Sequence, residues 1–295
     1  MSNLADSVMP APTGAVSPRR HMRVGEGKWL RRSLIGSAVI LSAIVLLAPI
    51  AIILIQAFSA GILVYAAKIV SSETLHAIGL TVLTALVVVP LNAVFGIMAA
   101  WAITKFSFPG RKLLTTLIEL PFSVSPIVAG VCYLFLYGAR GLLGPWLEAH
   151  DIQLMFSVPA IFLVSLFVTC PFVARELIPL MQTQGSGEEE AATILGASGL
   201  QMFLRVTLPN IKWALLYGVI LCNARVMGEF GAVSVVSGNI RGQTNTLPLQ
   251  IELLYNDYDS VGAFAAASIL TLLAVATLCI KAVIERRTGR RGLGH

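Results

Sequence analysis

An apolar run over residues 213–237 is interrupted by two charged side chains, Arg225 and Glu229, and by a few polar ones that include Asn223. A charge at the bilayer centre costs about 3 kcal/mol on insertion scales, so a charged side chain there faces the protein interior or water. Arg225, near the middle of the run, has i, i+4 spacing to Glu229. This spacing permits an intrahelical ion pair, although an acid on the C-terminal side is the less favourable order. The alternative is that Arg225 and Asn223 present a positive site within the membrane.

A second unusual feature is the polar stretch EEEAATILGASGLQMFLRVTLP, residues 188–209, which lies between two apolar runs. Ser186 and Glu189 have the spacing of a capping box, which predicts a helix that begins here. The glutamates at 188–190 then occupy the first turn, where negative charge favours the positive end of the helix dipole. Three consecutive acids argue against a loop that rests on the inner leaflet, because that surface attracts basic segments.

The remainder of this stretch predicts a bend and a second short helix. Ala191 and Ala192 allow another surface to approach closely, and Gly196 and Gly199 can end the first helix at a tight turn. The residues after Gly199 can form another short helix, which we expect to stop at Pro209. The pattern therefore predicts a hairpin of two short helices.

The composition is that of a membrane protein. The chain has 295 residues, of which 56% are hydrophobic and only 12% charged, against about 25% charged in soluble domains. The mean hydropathy is +0.82. Crossing the hydrocarbon takes about 20 helical residues. Runs of about this length with few or no charges occur at residues 33–56, 75–104, 113–138, 156–174, 213–237 and 261–280. They predict an all-α integral membrane protein with six transmembrane helices.

The positive charges predict the orientation in the bilayer. Most of the 21 lysines and arginines flank the predicted spans on one side, the side that also holds residues 182–210. Cytoplasmic loops carry this excess, so both termini and that loop are expected in the cytosol of a cell whose inner membrane the chain spans. We expect a disordered cytosolic tail (1–32), a six-helix domain (33–284) and a basic cytosolic tail (285–295). The basic residues form no single face, which excludes a nucleic-acid partner.

No catalytic, metal or cofactor site is predicted. Gly27 and Lys28 lack the remaining residues of an ATP-binding Walker A motif. The four histidines are scattered, and the cysteines form no C-x-x-C pair, so they are interpreted as reduced, space-filling thiols. These cysteines are Cys132, Cys170, Cys222 and Cys279. The chain is therefore not expected to be an enzyme.

The polar hairpin carries a family resemblance. Glu190, Ala191, Ala192 and Gly196, followed at fixed spacing by residues 206–209, resemble the EAA motif of ABC-importer permeases, E-A-A-x3-G-x9-I-x-L-P. Val206 in place of Ile is the one departure. The resemblance implies that the hairpin is a coupling helix that docks into a groove on an ATP-hydrolysing subunit. The coupling residues that it implies are Glu190, Ala191, Ala192, Gly196, Leu208 and Pro209.

Other segments indicate which class of ABC-importer permease the chain resembles. Residues 120–130 and 228–232 are similar to sulfate and molybdate permeases, and residues 233–259 are similar to the W-type permease subunit of sulfate/thiosulfate importers. This implies the type I ABC importer permease fold. The implied partners are an ATPase homodimer, a second, T-type permease subunit and an extracytoplasmic sulfate-binding protein. The translocation path would run between the two permeases in the lipid bilayer.

Two groups of residues are candidates for the translocation path. Ser123 and Ser125 lie between two prolines of the third span, where a freed carbonyl needs a hydroxyl, a neighbouring helix or water. A pore lining and a packing kink remain equally open there. In the fifth span, Arg225 and Asn223 would offer a transient positive site for a dianion, and Glu229 would help to close an outer gate. We favour the Arg225–Glu229 pair as structural, because direct contact could trap a divalent anion.

The last outer loop, residues 238–260, predicts a short amphipathic helix in the plane of the membrane. The apolar side chains on this helix would be Leu247, Ile251, Leu253 and Leu254, while Glu252, Asp257 and Asp259 face water. A docking surface for the binding protein is the alternative.

Other substrates and another class of transporter remain open. Molybdate and tungstate are tetrahedral dianions like sulfate, and these residues do not measure an anion's radius. A stand-alone, ion-driven secondary transporter would show inverted repeats with ionisable residues in both halves. Here both intramembrane pairs, Arg175–Glu176 and Arg225–Glu229, fall in the second half, and the acidic hairpin would have no role.

Overall fold

The computed structural model describes residues 28–289, with side chains for residues 29–280, 282 and 283. The chain divides into two compact units between Ala48 and Pro49. Most of the tail expected at residues 1–32 lies outside the described residues, and the first helix already begins at Lys28. The tail expected at 285–295 is described only to residue 289, as the end of a helix.

All regular elements in the described range are helical. The α-helices are α1 (Lys28–Ala57), α2 (Ile62–Ile69), α3 (Ser72–Lys105), α4 (Arg111–Ser123), α5 (Pro126–Tyr137), α6 (Gly144–Ala149), α7 (Val158–Thr169), α8 (Pro171–Gln184), α9 (Gly187–Ile194), α10 (Gly199–Met202), α11 (Leu208–Met227), α12 (Gly231–Val236), α13 (Leu247–Asn256) and α14 (Ser260–Gly289). A single π-helical turn, Phe203–Thr207, joins α10 to α11.

Within the described range, 4 stretches are long and apolar enough to cross a membrane, and the count rises to 5 if a bent pair is one span. The 4 are Trp29–Ala57, Ser72–Lys105, Val158–Gln184 and Ser260–Ile280. The predicted fifth span is not among them. It corresponds to α11, which is less apolar because it carries Asn210, Lys212, Asn223 and Arg225.

The bent pair is the third predicted span, which is two helices rather than one. α4 and α5 meet at 109°, and the break falls at Val124 and Ser125, between Pro121 and Pro126. Ser125 is extended, with φ −59° and ψ 136°, because a residue before proline is driven away from helical conformation. The expectation that these prolines bend the span is confirmed.

The core forms where α3, α8 and α11 pack on one another. Glycines permit the closest approaches. A Cβ atom on Gly96 of α3 would lie 2.6 Å from the Cβ atom of Val173, and one on Gly218 of α11 would lie 3.1 Å from the Cα atom of Val173. Interfaces between membrane helices are enriched in small residues for this reason, since lipid supplies no hydrophobic force to hold helices together.

A buried polar cluster joins the same region. The Nδ2 atom of Asn92 donates to the Thr169 hydroxyl at 2.7 Å and lies 3.7 Å from the Cys222 thiol. Cys222 donates to the Thr169 carbonyl at 3.8 Å. Cys222 therefore does more than fill space, because it satisfies polar groups beside the helix start at Pro171, where one backbone donor is missing.

The outer-loop helix forms, as α13, but it packs on protein. Leu247, Leu249 and Gln250 are buried, and the Leu247 N–H donates to the Thr81 hydroxyl of α3 at 2.8 Å. Asp259 pairs with Lys68 at 2.6 Å rather than facing water alone. Burial raises the pKa of Asp259, but the hydrogen bonds from Lys68 and the Gly262 N–H outweigh this and lower it.

We expect Gly96→Ala to destabilise the chain, because the new methyl group overlaps Val173. Overpacking of this kind costs about 1–3 kcal/mol. Gly79→Ala is the matched control in the same helix, since a Cβ atom there meets nothing within 4 Å, and alanine is favoured over glycine in a helix by roughly 0.5–1 kcal/mol. Thermal unfolding in detergent measures both variants. Equal midpoints would contradict this account of the α3–α8 contact.

Candidate functional site

The polar stretch forms the hairpin expected from its sequence. α9 ends at Ile194, Gly196 turns the chain with φ +84°, and α10 begins at Gly199. The Ala197 N–H donates back to the Ala192 carbonyl at 3.0 Å, which closes the last turn of α9 through a left-handed residue. The prediction of two short helices with a bend at Gly196 is confirmed, although Gly199 starts the second helix instead of ending the first.

The predicted cap of the first helix is wrong. The Ser186 hydroxyl makes no cap and instead bonds the Glu190 carboxylate. A capping serine needs extended backbone, but Ser186 has φ −116° and ψ 1°. The capping box is found one helix later, where Ser198 and Gln201 bond each other's backbone and Ser198 is extended.

Pro209 does not stop the second helix, contrary to the prediction. The chain runs from α10 through the π-helical turn directly into α11, and Pro209 lies in the first turn of α11. A π-helical turn accommodates an extra residue, and the Leu208 N–H bonds the Phe203 carbonyl across it. Leu208 is half-buried and Pro209 is exposed. The hairpin is thereby continuous with α11.

The consecutive glutamates face different partners. Glu188 accepts from the Asn210 side chain. Glu189 accepts from the Thr207 hydroxyl at 2.9 Å and forms an ion pair with Lys105. Glu190 accepts from the Ser186 hydroxyl of its own turn. Glu188 and Glu189 therefore tie the hairpin to the rest of the chain, which its sequence did not reveal.

The tip of the hairpin exposes large apolar side chains. Ile194 is 86% exposed, Leu195 87% and Leu200 69%. Ala191 beside them is exposed and Ala192 is half-buried. Clustered exposed apolar side chains with polar neighbours are typical of a surface that binds another molecule.

The second candidate group lies where α11 meets α12. Arg225 is in the last turn of α11, and Glu229 lies beyond the helix end. Arg225 Nη1 and Glu229 Oε2 are 2.7 Å apart, with side chains 32% and 1% exposed. This ion pair has the distance but not the alignment of a hydrogen bond. The other oxygen of Glu229 accepts from the Ala232 N–H at 3.0 Å.

The helix ends explain this arrangement. A cation is favoured at the C-terminal end of a helix and an anion at the N-terminal end, and Arg225 and Glu229 occupy these positions on α11 and α12. The unfavourable order within one helix therefore does not apply. The ion pair favoured from sequence is present.

The other pathway candidates form no hydrogen bond with Arg225 among the described side chains. Asn223 is half-buried and donates to the Met227 sulfur at 3.5 Å. Ser123 and Ser125 are exposed at the α4–α5 break. Among the described residues, no group of three or more His, Cys, Asp or Glu side chains is placed to hold a metal ion.

Arg175, which the sequence places next to Glu176 as a possible pair, does not pair with it. Its guanidinium lies 5.0 Å from the centroid of the Phe122 ring, and no carboxylate among the described side chains pairs with it. Arg175 and Phe122 line a cavity of about 210 Å³ with Glu119 and Thr115. An arginine within a span that has no paired acid is a functional candidate, and Arg175 was missed because its neighbour in sequence is an acid.

Comparison with known proteins identifies the family. Residues 92–290 match the binding-protein-dependent transport system inner membrane component. The chain belongs to this family of inner membrane components. The match includes both the hairpin and the α11–α12 corner.

Relatives of this inner membrane component cover most of the chain. The chain is 59% identical over 261 residues to the sulfate transport system permease protein CysW of Escherichia coli strain K12. This similarity covers 88% of the chain and 89% of that protein. The chain is 34% identical to the sulfate transport system permease protein CysT of the same strain, covering 88% and 94%.

A solved structure shares the fold of this inner membrane component. It is a bacterial alginate ABC transporter in complex with an alginate pentasaccharide-bound periplasmic protein, with a TM-score of 0.72 and 19% identity. The similarity covers 88% of this chain and 95% of that one. The expected ABC permease fold is thus confirmed, and its regular elements in the described range are all helices.

In this inner membrane component, we expect Arg225→Met to cost more stability than Glu229→Gln. Losing Arg225 leaves a carboxylate whose side chain is only 1% exposed, and an uncompensated buried charge costs up to about 3–5 kcal/mol. Glutamine at 229 keeps an acceptor for the Ala232 N–H and leaves an arginine with access to solvent, so about 1 kcal/mol is expected. Thermal unfolding of the two variants and of the double variant measures this. Equal losses of stability in the two single variants would show that Glu229 does not depend on Arg225 more than Arg225 depends on Glu229.

Proposed function

We propose that this chain is the membrane permease subunit of an ATP-driven importer that carries sulfate or thiosulfate into the cytoplasm. The single observation that carries the proposal is the extensive identity to a sulfate transport permease, over a range that includes an acidic hairpin with an apolar tip. The chain supplies the membrane path, and the energy comes from ATP hydrolysed on another subunit.

Six crossings fit the helices. They are α1, α3, the bent α4–α5 pair, α7 with α8, α11 with α12, and α14. The positive charges support a cytosolic position for the hairpin and both termini. The proposed layout keeps a six-helix domain at residues 33–284, a coupling loop at 182–210 and cytosolic tails at 1–32 and 285–295.

The hairpin is the proposed contact with an ATPase homodimer. Exposed Ile194 and Leu195 can enter an apolar groove, while the EAA-type residues give the hairpin its shape. Gly196 provides the left-handed turn, and Glu190 holds the start of α9 through Ser186. The residues proposed for coupling are Glu190, Ala191, Ala192, Gly196, Leu208 and Pro209.

A second, T-type permease and an extracytoplasmic sulfate-binding protein complete the proposed complex. The similarity to both CysW and CysT of one organism supports a pair of related permeases. The family description and the periplasmic protein bound to the alginate transporter support a binding protein.

For the path itself, Arg175 is a stronger candidate for anion contact than Arg225. Arg225 is neutralised by Glu229 at 2.7 Å, whereas Arg175 lies on an aromatic ring beside a cavity. A guanidinium presents several donors in a fixed fork that suits oxyanions. Ser123 and Ser125 are proposed to line the path at the α4–α5 break, with Asn223, Arg225 and Glu229 acting as a structural gate.

The function is tested by ATP-dependent uptake of radiolabelled sulfate into vesicles that contain the permeases and the ATPase, with the binding protein added. Excess thiosulfate is expected to compete. Stronger competition by molybdate or tungstate would assign the chain to those dianions. Uptake by this chain alone, driven by an ion gradient, would replace the proposal with a secondary transporter.

We expect Glu190→Lys and Gly196→Asp each to abolish ATP-driven uptake without preventing membrane insertion. Gly196 has φ +84°, a conformation that costs a residue with a Cβ atom about 1 kcal/mol or more, and Glu190→Lys breaks the contact with Ser186. Gly187→Asp is the matched control, because nothing lies near it, its φ is ordinary, and an acid suits a first turn. Uptake at the wild-type rate in either variant would exclude a coupling role for this hairpin.

We expect Arg175→Gln to weaken transport most at low sulfate concentration, because it removes a cation from the path. Arg175→Lys keeps the charge but loses the fork and the stacked geometry, so an intermediate effect is expected. The concentration dependence of uptake, with basal ATP hydrolysis as the control, measures this. Unchanged half-saturation in Arg175→Gln would show that Arg175 does not contact the anion.

A further inference from the structure

One carboxylate joins three segments of the chain at the base of the hairpin. Glu189 of α9 pairs with Lys105, the last residue of α3, and accepts from the Thr207 hydroxyl ahead of α11 at 2.9 Å. Lys105 also donates to the Gly185 carbonyl. The Lys105 and Glu189 side chains are only 12% and 13% exposed, and Thr207 is buried. Solvent therefore screens this pair less than a surface pair.

Glu189 differs from both neighbouring acids. Glu188 holds Asn210 in an exposed contact, and Glu190 reaches only Ser186. Among the described side chains, the hydrogen bonds and ion pairs of these two acids reach no membrane span other than α11. Among the side chains that the structure describes, the Glu189–Lys105 pair is the one ion pair between the hairpin and α3.

α3 can carry a displacement across the molecule. It has 34 residues and is therefore about 51 Å long. The helix stays continuous past Pro90, and between Pro90 and Lys105 the close packing of Gly96 on Val173 of α8 supports it. Towards its other end, the Thr81 hydroxyl accepts from the Leu247 N–H of α13. A movement applied at Lys105 would therefore reach the α13 loop through one continuous helix.

We propose that the Glu189–Lys105 ion pair, braced by Thr207, is the mechanical joint through which the hairpin moves α3. This rests on the function proposed above, because it assumes that an ATPase moves the hairpin. Glu189 and Lys105 are positioning residues that contact neither substrate nor nucleotide. A purely structural anchor would instead only hold the hairpin in shape for docking.

The two roles separate in a charge-swap experiment on the complete complex. Glu189→Lys and Lys105→Glu are compared with the double swap, in which opposite charges face each other again. Glu188→Lys makes the same charge change one residue away. Three quantities are measured for each complex: co-purification of the ATPase, ATP hydrolysis, and sulfate transported per ATP hydrolysed.

Each single swap is expected to retain the ATPase and hydrolyse ATP, but to lose about tenfold in sulfate transported per ATP, a size typical of coupling between sites. The double swap is expected to recover most of this loss, and Glu188→Lys to lose much less. Lys105→Arg keeps the charge and is expected to stay close to wild type.

Several outcomes would overturn the proposal that this ion pair is a mechanical joint. Single swaps that lose the ATPase would make the pair a structural anchor. Single swaps that transport normally, a folded double swap that recovers nothing, or an equal loss in Glu188→Lys would also overturn it. A wild-type complex without ATP-dependent sulfate uptake refutes the proposed function itself, and the joint with it, so the two failures are distinguishable.

Discussion

The close packing of α3 and α11 on one residue of α8, Val173, underlies the rest of the structure. Gly96 of α3 and Gly218 of α11 both approach Val173 of α8. Lipid gives helices no hydrophobic reason to associate, so contacts between small residues carry much of the packing. Because these contacts lie within the apolar core, they fix the positions of the helix ends, where the charged residues are found. The positions of the hairpin and of the α11–α12 corner therefore depend on this contact.

Three charged residues that make ion pairs lie at helix ends. Lys105 closes α3, Arg225 lies in the last turn of α11, and Glu229 precedes α12. At each position the helix dipole favours the sign of the charge that is present. A further partner then completes each site, either a second side chain or a free backbone N–H. Placing these charges at helix ends lets the chain keep them in a membrane domain without leaving them unsatisfied.

The sequence predicted what depends on spacing and composition. Four of the six apolar runs predicted helices that are long and apolar enough to cross a membrane, paired prolines predicted the break near Ser125, and Gly196 predicted the hairpin bend. It did not predict what depends on backbone angles or distant partners. Ser186 has capping spacing but unsuitable angles, and a π-helical turn carries the helix past Pro209. Hydropathy could not show that α11 ends at Met227, so it did not predict that Arg225 and Glu229 lie on either side of a helix end. Glu189 and Lys105 are far apart in sequence, and no local pattern connects them.

The two faces of the hairpin make different contacts. One face holds Glu188 and Glu189, whose partners belong to α3 and to the start of α11. The other exposes Ile194 and Leu195. A short helix with both faces free would rotate in place when a partner pushed on it, and the push would not reach the membrane. Under the proposed function, a face bound through a sheltered ion pair would let the same push displace the helices to which it is bound. An apolar tip would supply affinity for a partner without fixing its orientation. The ion pair and hydrogen bonds fix the orientation of the hairpin relative to α3 and α11. The proposed transfer of force between subunits requires both.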